Sequence, residues 1–459
     1  MLARGIRSYH RPTSLDEALK LAAQGGVPLA GGTHLLASPV EVPNVLDLSG
    51  LRLTRLELQD GDLVLGAAVT LQDVIDSPLA YAATGGLLPA ACRAWSASRM
   101  LRGMATLGGE SIFRGRDSEV VAALLALNAV YVVDRRDGRL ESPALRFLRS
   151  SDEDLAGGGL VTSLFVPGSP EGAALERVAV VPSARSLLSV AVAVSFSGER
   201  CARARIVVTG LETPPARITE AEARIEGTAG HDQDLQDCAE QVPLRAVFRS
   251  DAHAPASYRK AVARTLTLRA LRRAIYRARE REAAPVPRCR PLLPVRPPQA
   301  VPYFTSGRVE VTINGVVRHA DAEARTTLME LLRRQGYWGV KHGCETGECG
   351  ACAVLLDGRP VNACLVLALR AHGRVVQTVE GLGTPDALHP VQRAFVDTGA
   401  IQCGYCTPAM EMCAKALLDA VPDPTEDEVR DALAGCLCRC TGYVKPVQAV
   451  LEAARGLPR

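Results

Sequence analysis

Ten of the fourteen cysteines in the chain lie between residues 344 and 440, and most of them are closely spaced. The first four, Cys344, Cys349, Cys352 and Cys364, have four, two and eleven residues between them. Thiolates in this asymmetric loop are typical of a plant-type [2Fe-2S] cluster, around which a glycine-rich chain can wrap closely. Structural zinc sites use paired, closely spaced ligands instead, so the spacing favours iron.

A second set of four cysteines, Cys403, Cys406, Cys438 and Cys440, forms a CxxC pair and a CxC pair. By spacing alone, four thiolates from two loops at helix ends can hold either Zn²⁺ or a [2Fe-2S] cluster, and the neighbouring iron–sulfur loop favours the cluster. The six remaining cysteines have no such partners at short spacing, and we expect them to be buried apolar residues. They are Cys92, Cys201, Cys238, Cys289, Cys413 and Cys436. Cys436 lies two residues before a proposed ligand, and we predict that it does not bind metal.

The composition is that of a globular protein without a polyanionic partner. The 459 residues are 47% hydrophobic and 22% charged, with a formal net charge of +3, and this length suggests roughly two to four domains. The sequence has no run of about 18 apolar residues and no secretion signal that we recognise. Clustered cysteines at metal-ligand spacings also fit a reducing compartment. We therefore predict a cytoplasmic location.

A proline-rich stretch divides the chain. Seven prolines lie between residues 283 and 302, and proline disfavours both helix interiors and sheet ladders, so residues 283–306 are predicted to be a linker. Before it, strand-like and helical runs alternate and indicate an α+β region. The last of these runs carries nine Lys or Arg residues between Arg259 and Arg281. No aromatic platform accompanies them, so they indicate a solvated or partner-facing helix rather than a nucleic-acid interface.

The second half shows two hairpin signals and several helical runs. The dipeptides Asn314–Gly315 and Asp357–Gly358 each follow a strand-like run, and a capping box at Thr327 and Glu330 opens a helix between them. This order of elements, with the first cysteine loop inside it, predicts a small β-grasp domain. After Thr384 the pattern becomes helical, and four short helices in about seventy residues predict a compact bundle.

Four segments of this half closely resemble the iron–sulfur subunit of the xanthine oxidase, or molybdenum hydroxylase, family: GCETGECGACAVLLDGRPVNAC, EGLG, QCGYCTPAM and CRCTGY. The resemblance covers nearly all of residues 307–455. It implies that the first cluster is distal and lies nearer a flavin, whereas the second is proximal to a molybdopterin. It also implies that Gln402 and Cys440 face the molybdopterin.

The first half is similar to the flavin subunit of the same family. PLAGGTHLL resembles the diphosphate loop and ATLGGE the second flavin motif, so the resemblance implies an FAD site. The implied FAD residues are Ala30, Gly31, Gly32, Thr33, His34, Leu35, Thr106, Gly108, Gly109 and Glu119. The family usually has Asn where this chain has Glu110 and Asp where it has Glu119, and Arg114 and Arg116 replace small residues. A carboxylate near the flavin phosphates repels them unless an arginine compensates, so loss of FAD is an alternative.

These observations predict an α+β multidomain protein. The expected domains are an FAD-binding domain of two subdomains (1–170), a flavoprotein C-terminal α/β subdomain (171–282), the linker (283–306), a plant-type [2Fe-2S] β-grasp domain (307–382) and a four-helix-bundle [2Fe-2S] domain (383–459). Fused subunits of this family more often place the iron–sulfur half first.

The resemblance implies an electron-transfer subunit of an oxidoreductase that has no catalytic residue of its own. Electrons would come from the molybdopterin cofactor of a large partner subunit, pass through both clusters to FAD, and leave to an external acceptor such as NAD, a quinone or a ferredoxin. A dimer of such heterodimers is compatible with this assignment. Two alternatives remain open: a flavin-free iron–sulfur adaptor whose first half is an assembly scaffold, and a zinc-stabilised interaction protein.

Overall fold

The computed structural model describes residues 5–39, 41–113, 115, 117–181, 184–280, 298 and 300–456. Its strands are β1 (Ser8–Arg11), β2 (Val27–Leu29), β3 (Asn44–Asp47), β4 (Leu56–Gln59), β5 (Asp62–Gly66), β6 (Val130–Arg135), β7 (Gly138–Pro143), β8 (Leu160–Val166), β9 (Gly172–Val178), β10 (Leu188–Ser197), β11 (Arg200–Val208), β12 (Ala216–Arg217), β13 (Val301–Phe304), β14 (Ser306–Ile313), β15 (Val316–Glu323), β16 (Ala353–Leu356), β17 (Arg359–Asn362) and β18 (Val375–Gln377).

The helices are α1 (Leu15–Ala23), α2 (Leu71–Ile75), α3 (Pro78–Thr84), α4 (Leu87–Trp95), α5 (Arg99–Met104), α6 (Leu107–Phe113), α7 (Glu119–Ala126), α8 (Ala144–Asp154), α9 (Thr219–Ile225), α10 (Asp232–Arg245), α11 (Ala256–Glu280), α12 (Leu328–Arg334), α13 (Pro390–Asp397), α14 (Thr407–Ala420), α15 (Glu426–Leu433) and α16 (Val444–Gly456). None of the described helices is both long and apolar enough to cross a membrane.

The chain forms two compact units that are discontinuous in sequence. The cysteine-rich unit joins residues 1–52, 97–105 and 290–459, and the central unit joins residues 53–96 and 106–289. Each unit therefore takes residues from both sides of an expected domain boundary, and the expected boundaries do not follow the compact units.

The cysteine-rich unit contains the predicted β-grasp sheet, whose strand order is β15-β14-β18-β16-β17. Alternate residues of β14 point into its core, because Val309, Val311 and Ile313 are all buried. Asn314 and Gly315 both have positive φ in the β14–β15 hairpin, as a type I′ turn requires. The capping box of Thr327 and Glu330 opens α12 as predicted.

The helical bundle of this unit consists of α13 to α16. Capping boxes open α13 and α15, where His389 pairs with Gln392 and Thr425 pairs with Glu428. The apolar faces of the four helices meet in one core that includes Phe395. The predicted fold class, a mixed α and β protein of several domains, is confirmed.

The prediction of a linker over residues 283–306 is wrong at its C-terminal end. Residues 281–297 and 299 lie outside the described residues, but Val301–Phe304 forms β13 and Ser306 begins β14. In the sheet β13-β1-β3-β2, β13 pairs antiparallel with β1. An edge strand tolerates Pro302 because only one side of such a strand needs hydrogen-bond donors.

A short segment of the N-terminal half also belongs to the cysteine-rich unit. In α5, the Arg102 guanidinium is almost fully buried and lies 2.7 Å from the Asp431 carboxylate of α15, and Arg99 contacts the same carboxylate at 3.2 Å. A buried cation needs such a partner because the low-dielectric interior penalises an isolated charge. These ion pairs fix residues 97–105 against the bundle.

The central unit is built on two sheets, with strand orders β4-β5-β8-β6-β7 and β12-β11-β10-β9. Helices α9, α10 and α11 cover one face of the second sheet, where the alternate residues Val190, Val192 and Val194 of β10 are buried. Helix α7 contacts β10 and β11 and is buried along its whole length.

Candidate metal centres and flavin-binding loops

The first cysteine loop connects α12 to β16 in the cysteine-rich unit. Cys344 and Cys349 are partly exposed, and Cys352 and Cys364 are buried. The thiol of Cys344 lies close enough to those of Cys349 and Cys364 to perturb its pKa, and the thiol of Cys352 is perturbed in the same way by that of Cys364. The structure therefore brings the four predicted ligands together.

The backbone of this loop is arranged around the sulfur atoms. The N–H of Cys349 donates to Cys344 Sγ at 3.4 Å, and the N–H of Cys364 donates to Cys352 Sγ at 3.4 Å. A Cβ at Gly343 would lie only 2.7 Å from Cys349 Sγ, so a side chain there would displace a ligand. Backbone donors to thiolate sulfur are the interactions that stabilise an anionic iron–sulfur cluster.

The second cysteine set lies at the edge of the helical bundle. Cys406 is buried as the N-cap residue of α14, whereas Cys403 and Cys440 are exposed. The thiols form two pairs, Cys403 with Cys440 and Cys406 with Cys438. The partial positive charge at the start of α14 favours negative charge at this position.

Polar groups also surround these sulfur atoms. The backbone N–H of Tyr405 is hydrogen-bonded to Cys403 and lowers the pKa of that thiol. The hydroxyl of Thr441 lies 3.2 Å from Cys438 Sγ, and the Cys438 N–H donates to the Tyr443 hydroxyl at 2.8 Å. The second set thus has the same combination of thiols and hydrogen-bond donors as the first.

Among the described residues, no group of three or more His, Cys, Asp or Glu side chains is placed to hold a metal ion. The thiols of the second set come together two and two, and two irons that share four thiolates need such pairs. The residues present fit a [2Fe-2S] cluster in each loop.

The two cysteine loops are in direct backbone contact. The N–H of Leu437, the residue before Cys438, donates to the carbonyl oxygen of Cys349 at 2.9 Å. A Cβ at Gly350 would lie 2.0 Å from the carbonyl oxygen of Gly435, so glycine is required for this approach. No pattern in the sequence indicated that the residue beside Cys438 would donate a hydrogen bond to Cys349 in the other loop.

Two cysteines outside the proposed ligand sets form a buried sulfur contact. Cys413 Sγ and Cys436 Sγ are 3.6 Å apart, and Met100 Sδ lies 3.6 Å from Cys413 Sγ. Both cysteines are buried. The thiol of Cys436 is thus directed to Cys413, although Cys436 is only two residues from Cys438.

The proposed flavin diphosphate loop follows β2 in the cysteine-rich unit. Its turn is closed by the Leu36 N–H, which donates to the Gly32 carbonyl at 3.0 Å. A Cβ at Gly31 would lie 2.0 Å from the Met104 carbonyl oxygen, and Gly32 has a φ of +80°. Among the described residues, no hydrogen bond uses the N–H of Gly32 or Thr33. Both N–H groups could therefore donate to the oxygens of an anion such as a diphosphate.

The same loop lies against the first cysteine site. A Cβ at Gly32 would be 3.3 Å from the carbonyl oxygen of Leu365, the residue after Cys364. Met104, the residue immediately before the second flavin motif, accepts a hydrogen bond from the Asn362 N–H at its sulfur, at 3.4 Å. The loop assigned to the flavin and the loop assigned to the first cluster therefore share a boundary within one compact unit.

In the central unit, the second flavin motif forms the start of α6. The Gly109 N–H donates to Thr106 Oγ1 at 3.1 Å, and the Gly108 N–H donates to the Ala67 carbonyl at 2.9 Å. A Cβ at Gly108 would lie 2.8 Å from Ala67 Cβ. Packing alone thus requires Gly108, and both amides already have partners within the protein.

The two glutamates that depart from the family pattern, Glu110 and Glu119, are buried in the central unit. Ser186 donates a hydrogen bond to the Glu119 carboxyl, and Arg177 Nε donates to the Ser186 hydroxyl at 2.8 Å. Burial raises the pKa of Glu119, and the hydrogen bond from Ser186 partly opposes this shift. Arg114 and Arg116, the possible compensating charges, lie outside the described residues.

Comparison with known families assigns four segments of the chain. Residues 4–169 match the FAD binding domain in molybdopterin dehydrogenase, and residues 181–274 match the CO dehydrogenase flavoprotein C-terminal domain. Residues 311–371 match the 2Fe-2S iron-sulfur cluster binding domain, and residues 378–451 match the [2Fe-2S] binding domain.

Individual relatives agree with these matches. The chain is 49% identical over 146 residues to the small subunit of nicotine 6-hydroxylase from Paenarthrobacter nicotinovorans, covering 32% of this chain and 88% of that subunit. It is 46% identical over 149 residues to the xanthine dehydrogenase iron-sulfur-binding subunit of Escherichia coli O157:H7, covering 32% and 94%. A chain of the carbon monoxide dehydrogenase from Hydrogenophaga pseudoflava is 27% identical with a TM-score of 0.55, covering 59% of this chain and 97% of that one.

The fold and the two cysteine sites define an oxidoreductase component with two [2Fe-2S] domains and an FAD-binding domain, whose role is electron transfer. The chain belongs to the molybdenum hydroxylase family, in which it fuses the flavoprotein and iron–sulfur components.

We expect the purified chain to contain about four iron atoms and four labile sulfides, because eight thiolates supply two Cys₄ [2Fe-2S] clusters. Elemental analysis and labile-sulfide determination measure both numbers. Stoichiometric zinc, or an iron content near two, would show that at least one of the two cysteine sets has been assigned wrongly.

Proposed function

We propose that this chain is the electron-transfer subunit of a molybdenum hydroxylase, which takes electrons from a molybdopterin centre on a large partner subunit. The clusters would supply one-electron redox steps, and the FAD would collect two electrons for an external acceptor. The single observation that best supports electron transfer between the two clusters is the hydrogen bond from the Leu437 N–H to the Cys349 carbonyl, which joins the two cysteine loops.

The ligands suggest which cluster receives electrons first. Cys403 and Cys440 are exposed, whereas Cys352 and Cys364 are buried. Electron tunnelling weakens steeply with distance, so the cluster that serves a partner chain must lie at the surface. This supports the assignment of the second cluster to the molybdopterin side of the path.

Exposed apolar residues flank the same ligands. Ile401 is 37% exposed and Tyr405 is 47% exposed, next to Cys403, and Leu437 is 60% exposed beside Cys438. Apolar side chains grouped at a surface are characteristic of protein interfaces. They support docking of the large subunit on this end of the bundle.

From the second cluster, the chain offers a short route inward. Cys438 and Leu437 are adjacent in sequence, and the Leu437 N–H reaches the carbonyl of Cys349, a ligand of the first cluster. At another proposed ligand of the first cluster, Leu365 follows Cys364 and borders the diphosphate loop at Gly32. The order is therefore second cluster, first cluster, flavin.

Gln402 tests the first step of this path. It is exposed and immediately precedes Cys403, and its side-chain amide offers both a donor and an acceptor to a pterin edge. In the complex with the large subunit, we expect Gln402→Ala to slow reduction of the clusters by substrate about three- to tenfold, the effect of one lost hydrogen bond. Stopped-flow absorbance of the clusters measures this rate.

Gln335→Ala is the matched control, because Gln335 is an exposed glutamine of the same unit at the end of α12. Cluster content and dye reduction from the flavin side should be unchanged in both variants. An unaltered rate of substrate-driven reduction in Gln402→Ala would argue that the molybdenum partner docks on another face.

A further inference from the structure

A polar cavity in the central unit lies outside every site described above. Its volume is about 120 Å³, and it lies where β10 and β11 meet the end of α7 and the turn after β8. The polar residues that line it are Ser169, Ser195, Arg203 and Arg205. Cavities for whole drug-sized ligands measure about 300–1,000 Å³, so this one suits a small ion or a single group of a larger ligand.

The strand register places the two arginines side by side. Arg203 and Arg205 are two residues apart on β11, so their side chains leave the same face of the sheet. On β10, Ser195 pairs with Arg203 and Ala193 pairs with Arg205. The small side chains of β10 leave room beside the guanidinium groups.

Among the described residues, neither arginine forms an ion pair or a side-chain hydrogen bond. The nearby carboxylates are engaged elsewhere: Glu222 binds Arg217 at 2.6 Å, and Glu226 accepts the Ala204 N–H at 3.0 Å. Burial lowers the pKa of Arg205, as do the charges of Arg217 and Arg203, although Glu222 and Glu226 oppose this. Among the described residues, the half-buried cation is thus compensated only through space and has no carboxylate in direct contact.

The other carboxylates near the cavity form their described hydrogen bonds with backbone and not with the two arginines. Asp62 accepts the N–H of Gly168 at 3.1 Å, and Glu171 accepts the N–H of Phe196 at 3.0 Å, so both carboxylates are bound to backbone near the turn. The last carbonyls of α7 carry partial negative charge, but no described hydrogen bond joins them to Arg203 or Arg205. Two guanidinium forks with a neighbouring serine hydroxyl are a donor set suited to a tetrahedral oxyanion.

We propose that this cavity is an oxyanion site in which Arg203, Arg205 and Ser195 bind a phosphate group. The inference is independent of the electron-transfer role, since it involves neither the clusters nor the flavin loops. The phosphate belongs either to free inorganic phosphate or to a small phosphate monoester whose remainder extends beyond the cavity.

The test uses the full chain with its cofactors bound. Isothermal titration with inorganic phosphate, at an ionic strength held constant with sodium chloride, should show one saturable site. Arg205→Gln should weaken binding at least tenfold and Arg203→Gln at least threefold. Arg200→Gln removes the same charge from an exposed position of the same strand, where its guanidinium binds the Gly227 carbonyl, and should change affinity less than twofold.

Titrations with phenyl phosphate and acetate distinguish a site for free phosphate from a site for a phosphate monoester. Binding of both phosphates but not acetate indicates a monoester site, and binding of inorganic phosphate alone indicates a site for the free ion. Flavin content is measured in every sample, because phosphate bound at an empty diphosphate loop would give heat that Arg205→Gln leaves unchanged.

If Arg205→Gln does not fold, Arg205→Lys keeps the charge and removes the planar fork, and it should still weaken phosphate binding several-fold. The proposal is overturned if phosphate gives no heat beyond that of chloride, or if Arg200→Gln loses binding as fully as Arg205→Gln.

Discussion

In the variant Cys349→Ser, we expect one of the two [2Fe-2S] EPR signals to disappear and the other to remain. Cys349 contributes both a proposed ligand sulfur and the carbonyl that accepts the Leu437 N–H, but the substitution removes only the sulfur. Because the proposed path is serial, loss of the first cluster should reduce substrate-driven flavin reduction to background. Reduction of the second cluster by substrate should persist.

Cys413→Ala is the matched control. Cys413 is a buried cysteine of the same unit whose thiol contacts Cys436 and is not assigned to either cluster. Both EPR signals should survive in this variant, with at most a modest loss of stability from the small cavity. EPR spectra of the dithionite-reduced proteins, with iron content, provide the measurement.

Loss of both signals in a folded Cys349→Ser protein would mean that the two thiol sets do not form separate sites. Loss of one signal in Cys413→Ala would instead assign a metal-binding role to the Cys413–Cys436 pair. The two outcomes implicate different residues and are distinguished by the same spectra.

The cysteine sites were the part of the structure that sequence spacing could predict best. Cys344, Cys349 and Cys352 occupy one loop, so their approach follows from local geometry. The hairpin of β16 and β17 brings Cys364 back to them, and its Asp357–Gly358 turn is a recognisable hairpin signal in the sequence. The helices of the bundle could be predicted for a similar reason, because caps such as Thr425 with Glu428 act within a few residues.

Contacts between distant segments could not be predicted in the same way. The pairing of β1 with β13 joins residues about 290 positions apart, and the proline content of the intervening stretch gave no indication of a strand at its end. The burial of Arg102 against Asp431 likewise depends on α5 packing against α15. One sequence carries local propensities, whereas such pairs become visible only when the chain has folded.

The flavin loops are an intermediate case. Glycines at 31, 32, 108 and 109 suggested close approach by a ligand, but the structure gives Gly31 and Gly108 a reason within the protein, because their neighbours leave no room for a Cβ. Gly32 differs in degree, since its positive φ also favours glycine but its nearest neighbours would be 3.2 Å or more from a Cβ. The strongest test of the flavin assignment therefore lies at Gly32.

We expect Gly32→Val to reduce bound FAD from about one per chain to less than about a tenth of that. A β-branched residue is strained at the Gly32 φ of +80°, and its methyl groups would occupy the space beside the Gly32 and Thr33 amides that we assign to the diphosphate. Flavin fluorescence after acid release, expressed per chain, gives the occupancy.

Gly25→Val separates backbone strain from loss of the ligand site. Gly25 has a φ of +91° and a Cβ there would contact nothing within 4 Å, so valine imposes a similar strain outside the loop. We expect this variant to keep its flavin. The visible spectrum of the clusters must also be compared, because Gly32 borders Leu365 beside the ligand Cys364.

With cluster spectra intact, full flavin content in Gly32→Val would place the diphosphate elsewhere. Absence of flavin from the unmodified chain would favour the iron–sulfur adaptor over the flavoprotein. The first variants to test for restored flavin binding would then be Glu110→Asn and Glu119→Asp, which introduce the residues usual in the family at these buried positions. If flavin is present and is lost only in Gly32→Val, the diphosphate lies on a loop that contacts the residue following a ligand of the first cluster. In that case the electron path from this cluster to FAD crosses the contact between Leu365 and Gly32 in the cysteine-rich unit.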